Sequence, residues 1–124
     1  MKRDMDLVRR ILVEVEKADD RVSIESLECD KYSLPTIGYH VELMSAHGLI
    51  DAKVNRSWGG DITDGYIKAL TWSGCDYLDA IRDDGVWRRT KAVISEAVGD
   101  TTLSTIKEAA SMVAIQLIKA NLGV

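Results

Sequence analysis

Few side chains in this sequence are of the types that do chemistry, and their spacing argues against most of it. His40 and His47 stand seven residues apart. On a helix that is two turns, about 10 Å, along one side. One zinc ion cannot bridge that gap, since helical histidine pairs that share a metal lie at i and i+4. Cys29 and Cys75 are isolated, without CxxC spacing, and read as two reduced, buried thiols. Cys75 follows Ser73-Gly74, but no pattern places a base or an acid beside it, so it does not read as a nucleophile. Asp79, Asp83 and Asp84 read as a charged helix end and a break rather than a cation site. Gly59-Gly60 is a turn and not a phosphate loop, because no Lys-Ser or Lys-Thr follows it. No acid, base and nucleophile converge. The chain is expected to be non-enzymatic, with no metal, no cofactor and no small-molecule substrate.

What remains is binding. Lys53, Arg56 and Lys68 bring three cations, and Trp58 one stacking ring, to the neighbourhood of a glycine-rich tip. These four are the candidate contacts to duplex DNA, although Asp61 and Asp64 sit in the same tip and offset part of the attraction. The whole chain is not basic: 16 Lys+Arg against 20 Asp+Glu leave a net charge of -4. Counterion release would therefore have to come from a local patch. From Tyr32 to Ala52 there is no Lys or Arg at all.

The elements that must position these residues follow from periodicity. Asp4 can cap a first helix running to about Ala18, with Met5, Val8, Ile11, Leu12 and Val15 as its apolar stripe. Val22, Ile24 and Leu27 fit a short strand or a single helical turn. Ser33 or Leu34 opens a second helix, with Pro35 in its first turn. Leu34, Ile37, Val41 and Met44 are its buried side, and Gly48 is its left-handed stop. Residues 50–70 read as a β-hairpin with a tip of about ten residues. Thr71 caps a helix from Trp72 to about Arg82, which Asp83-Asp84-Gly85 breaks. Val86 to Val98 reads as a helix stopped by Gly99. Asp100, Thr101 or Thr102 caps a last helix that ends near Asn121.

This order resembles a winged helix: a helix ending in Gly-Leu-Ile, a strand, a glycine-rich tip, a returning strand and a Leu-Thr-x-x-Gly helix. The expected architecture is mostly α with a small β-hairpin, a winged helix-turn-helix-like core over residues 1–84 and two C-terminal helices over 85–124. The helix that would enter a major groove carries Tyr39, Glu42, Leu43 and Ala46 outward, without a cation, so contact with DNA is expected through the wing. The alternative is a protein-interaction module, an adaptor or an inhibitor of a host protein, that uses Tyr39, Leu43 and Ala46, with His40 and His47 on the flank of the patch. Leu103, Ile106, Ala110, Val113 and Leu117 follow heptad spacing, and Ile115, Ile118 and Leu122 form a second stripe. A helix apolar on two faces must bury both, so a homodimer is expected through Leu103, Ile106, Val113, Leu117 and Ile118. The N-terminus lacks the apolar core of a signal peptide, and no stretch approaches the ~20 apolar residues of a membrane span. A cytoplasmic protein without membrane contact is expected.

The opening Met1-Lys2-Arg3-Asp4-Met5-Asp6-Leu7-Val8-Arg9 resembles a bacterial and prophage family catalogued as domain-of-unknown-function family 2513. So do Gly38-Tyr39-His40-Val41-Glu42-Leu43-Met44, running on to Gly48-Leu49-Ile50, and Leu70-Thr71-Trp72-Ser73-Gly74 with Asp79-Ala80-Ile81-Arg82-Asp83-Asp84 and Val86-Trp87. Ser104-Thr105-Ile106-Lys107 and Leu122-Gly123 are similar as well. The resemblance implies a small winged-helix regulator of phage or prophage origin, and it brings no catalytic residues.

Overall fold

The computed structural model describes the backbone of residues 1–97 and 103–121, and the side chains of residues 1–93, 106–116 and 118. The expected stop at Gly99, the caps at Asp100, Thr101 or Thr102, and Leu122 and Gly123 lie outside the described residues. The chain divides into two compact units, Met1–Cys75 and Asp76–Val124.

The first unit opens with helix α1, Met5–Lys17. Val8, Ile11, Leu12 and Val15 of the expected stripe are buried, whereas Met5 is only half-buried and Leu7 is buried beside them. Residues 21–32 use both of the expected alternatives. Strand β1 is Val22–Ser23, and a 3-10 turn follows over Ile24–Leu27. Helix α2 is Leu34–Ala46, with proline in its first turn. It ends at Gly48, whose φ of 85° is open to glycine at no steric cost. Strands β2, Ile50–Arg56, and β3, Ile62–Leu70, form the hairpin. The three strands make one antiparallel sheet in the order β1-β3-β2.

The hairpin tip is shorter than expected. Pairing continues to Arg56 opposite Ile62, so only residues 57–61 turn the chain. Two bulges make this register compatible with the sequence: β3 gains an extra residue between Asp51 and Ala52 and again between Asn55 and Arg56. Lys68 is the extra residue of the first and Thr63 of the second.

Asp4 explains the distinctive opening of the chain. Its carboxylate accepts from the backbone N–H of Asp6 at 3.0 Å and of Leu7 at 3.3 Å, the donors an α-helix leaves unpaired. Its other oxygen accepts from the Tyr32 hydroxyl at 2.9 Å. Its backbone N–H donates to Nε2 of His40 at 2.8 Å. Nδ1 of His40 meets the Thr36 carbonyl at 2.8 Å and must donate there, which fixes a neutral ring with the proton on Nδ1. His40 is 1% exposed. It does not flank a surface patch, as the helical wheel suggested. It ties α2 to the start of α1.

The same cluster carries a pH prediction. Burial, reinforced by the hydrogen bond to Asp4 and its negative charge, pushes the Tyr32 phenol up to about 12. A group raised in the folded state contributes stability that is complete below its unfolded value of about 10. That contribution disappears as pH climbs through about 12. Stability to denaturant is expected to fall across this alkaline window, with Tyr32→Phe lacking that component. Tyrosinate absorbance should show a step near pH 12 that Tyr32→Phe removes. A titration curve that Tyr32→Phe leaves unchanged in this range would contradict the assignment.

In the second unit, helix α3, Trp72–Ile81, crosses the division and contributes Tyr77, Leu78 and Ile81 as buried residues. Helix α4, Asp84–Ala97, begins two residues before the expected start. Asp83 acts as its cap, its carboxylate accepting from Val86 N–H at 2.9 Å. The aspartates that read as a break thus restart the helix. Helix α5, Leu103–Asn121, packs on α4. Thr90 is fully buried and satisfies its hydroxyl on the Val86 carbonyl at 2.7 Å. No described helix is long and apolar enough to cross a membrane.

Candidate nucleic-acid interface

The tip of the hairpin is small and held. Ser57 N–H donates to the Asp61 carbonyl at 2.8 Å, and Gly60 N–H donates to the Ser57 carbonyl at 2.9 Å. Gly60 has φ of 89°, which lets this tight turn close. At its apex Trp58 is fully exposed, with a relative accessibility of 108%. An indole held in water by a hydrogen-bonded turn has given up the burial that tryptophan ordinarily gains.

The four expected contact residues are not all brought together. Side chains alternate along a strand, and the register puts Lys53 opposite Tyr66 and Asn55 opposite Asp64 on the outer face of the sheet. Arg56 takes the opposite parity and turns toward α2. There its guanidinium forms an ion pair with Glu42, and it also donates to the Gly60 carbonyl. Arg56 therefore braces the tip against α2 and leaves the set of free cations. Ile62 leans the same way, and its Cδ1 fills the space that a Cβ on Gly38 would need. Lys53 and Lys68 are exposed, with no ion pair among the described residues.

The outer face holds a residue that the sequence reading missed. The Arg21 guanidinium lies 4.4 Å from the centre of the Tyr66 ring. Ser23 pairs with Tyr66, and Tyr66 pairs with Lys53. Ser23, Tyr66 and Lys53 thus form a row across the three strands, and Arg21, two residues before Ser23, reaches diagonally onto the Tyr66 ring. Only the alternation of Arg21 with Val22 could have signalled this, and a two-residue strand is too short to read. Arg21 also borders an open cleft of about 480 Å³ between α1, β1 and the 3-10 turn, lined by Arg10, Glu14 and Lys17 among others.

The other candidate surfaces come out unevenly. On α2, Leu43 is 37% exposed, Ala46 is exposed and Tyr39 is half-buried, edge-on to the His40 ring at 5.4 Å. Trp72 is 85% exposed at the first turn of α3, a second open indole that periodicity did not single out. On α5, Ile106, Ala110 and Val113 are buried, so Ile106 and Val113 are not open to a second copy as the heptad reading required. Ile118 is exposed, together with Met112 and Ile115. The side chains of Leu103 and Leu117 lie outside those described. Cys29 and Cys75 are free thiols but exposed, not buried. Cys29 sits in a turn closed by paired backbone bonds with Tyr32, and Cys75 lies in the first turn of α3, away from its buried side. No group of three metal-ligating side chains occurs among the described residues.

Comparison with known proteins places the chain. No solved structure matches it. A relative from Haemophilus influenzae (strain ATCC 51907 / DSM 11121 / KW20 / Rd), described as "Uncharacterized protein", is 33% identical over 119 residues, covering 95% of this chain and 99% of the relative. Residues 2–100 match the family described as "Hypothetical protein (DUF2513)". That span takes in the Asp4 cluster, the hairpin and the Leu-Thr-x-x-Gly helix start, so the chain belongs to this family, as its opening residues indicated.

Proposed function

We propose that Met1–Cys75 is a winged-helix unit and that the protein is a non-enzymatic regulator holding duplex DNA through its hairpin. The element order and the sheet order β1-β3-β2 support the first part, with a 3-10 turn standing where a helix-turn-helix has its second helix. The observation that carries the second part is Trp58, fully exposed at a hydrogen-bonded tip with exposed Lys53 and Lys68 behind it. A rigid indole can stack on or wedge beside a sugar-phosphate edge, and the lysines can neutralise phosphates. α2 supplies no cation to a groove, and its one outward acid, Glu42, is already paired with Arg56.

Anisotropy of a labelled mixed-sequence duplex across a salt series tests this reading. Two lysine-phosphate contacts give a log-log slope of about -2. Trp58→Ala is expected to weaken binding by about 1–3 kcal/mol without changing that slope, because stacking releases no counterions. A slope near zero, or no binding at low salt, sinks the proposal.

The exposure of Leu43 beside a cation-free helix face favours a second reading, a protein contact through Leu43 and Ala46. It predicts that Leu43→Asp abolishes partner capture and leaves duplex binding intact. Pairing of two copies, where it occurs, would run through Met112, Ile115 and Ile118.

A further inference from the structure

We infer that the phosphate-binding surface of the first unit does not stop at the hairpin: it crosses the sheet to the cleft beside α1, with Arg21 as its central contact and a nucleic-acid backbone as its occupant. This rests on the duplex-binding reading above and extends it to residues outside the wing. Lys53 and Tyr66 are paired across β2 and β3, and Arg21, just before β1, reaches diagonally onto the far side of the Tyr66 ring, so the three side chains make one line across the outer face. Neighbouring strands are ~4.8 Å apart, so the row spans about 10 Å. That is longer than one phosphate group and suits a polymer of phosphates better than a free anion.

Arg21 is built for this role. Its guanidinium carbon sits over the Tyr66 ring, 4.4 Å from the centroid. A ring face takes no conventional hydrogen bond from the ion's fork, so N–H donors remain for a phosphate. The ring also limits the side chain's rotamers, so less entropy is lost on contact.

The cleft continues the row. Of its cations, Arg10 is committed to the Leu27 carbonyl at 2.9 Å, and Glu14 offsets one charge. Lys17 and Arg21 remain exposed. The nearby acids are partly engaged. Glu25 accepts from the Ser23 hydroxyl at 2.8 Å and from Gly65 N–H at 3.1 Å, and Asp20 accepts from Arg21 N–H at 2.7 Å. Asp51 and Asp64 share the outer face with Lys53 and are the charges the row must outweigh.

The test is the same salt series on the full chain, with Arg21→Gln, Lys17→Gln and Arg21→Lys, each variant's fold checked by its thermal melt. The wing alone predicts a slope of about -2, whereas the extended surface predicts about -4. Arg21→Gln and Lys17→Gln should each make the slope shallower by about 1, and Arg21→Lys should restore it. If the slope is about -2 and Arg21→Gln leaves it unchanged, this inference is overturned while the wing reading stands. If the duplex is not bound at low salt, the wing reading falls, and the extended surface falls with it.

Discussion

Replacing Gly74 with alanine is expected to cost about 3 kcal/mol of stability. A Cβ at this position would run into the Leu49 carbonyl oxygen and lie 3.0 Å from its carbon. Both are backbone atoms, so no side chain can swing aside. The contact is close because three bonds draw α3 onto the end of α2. Thr71 N–H donates to the Leu49 carbonyl at 3.0 Å, the Thr71 hydroxyl donates to the Gly48 carbonyl, and Gly74 N–H donates to the Thr71 hydroxyl at 3.1 Å. The Leu-Thr-x-x-Gly pattern is thus a joint, with threonine as cap and latch and glycine as clearance. In an open helix Gly→Ala would gain about 1 kcal/mol. Here the clash has the opposite sign and is larger. Chemical denaturation measures it, and a Gly74→Ala variant as stable as the parent would show that strand and helix do not approach this closely.

Asp4→Ala is expected to cost about as much, by a different route. The helix cap contributes ~1 kcal/mol. Loss of the charged acceptor of the Tyr32 hydroxyl adds ~1.5 kcal/mol, the low end for such a bond, because the bond is part-buried although the residue as a whole is 7% exposed. Asp4→Asn keeps an oxygen for the cap but sets its amide nitrogen, a donor, against the phenol in place of the second oxygen, so it should recover the ~1 kcal/mol of the cap and lose the rest. Equal losses for the two substitutions would mean that the cap contributes nothing and the charged acceptor carries the effect. A loss under about 0.5 kcal/mol for Asp4→Ala would mean that the cluster is decorative.

The legible parts of this fold were those whose signals are local and strong. The stripe of α1 from Val8 to Val15, the Asp4 cap, proline at the start of α2, Gly48 as its stop and Thr71 as a cap are each decided by a few neighbours. All stand as read. What escaped depends on contacts across the sequence. His40 reads as a surface residue on a helical wheel until the Asp4 backbone, 36 residues away, is seen to need an acceptor. Arg56 reads as a free cation until the packing of α2 beside that face of β2 brings Glu42 to it. The tip reads as longer than it is because Thr63-Asp64-Gly65 looks turn-forming, yet a bulge absorbs Thr63 and lets pairing go on. Heptad spacing on α5 marked a buried side correctly as apolar, but spacing alone cannot say that the buried partner is α4 rather than a second chain.

The central claim is that the hairpin and the outer sheet face, and not α2, meet nucleic acid. Its most direct test is amide and indole chemical-shift mapping during titration of the full chain with a mixed-sequence duplex. The largest changes are expected at the Trp58 indole N–H and the amides of residues 53–68, with Arg21 moving alongside them. Changes confined to residues 39–46, or to α5, would contradict it.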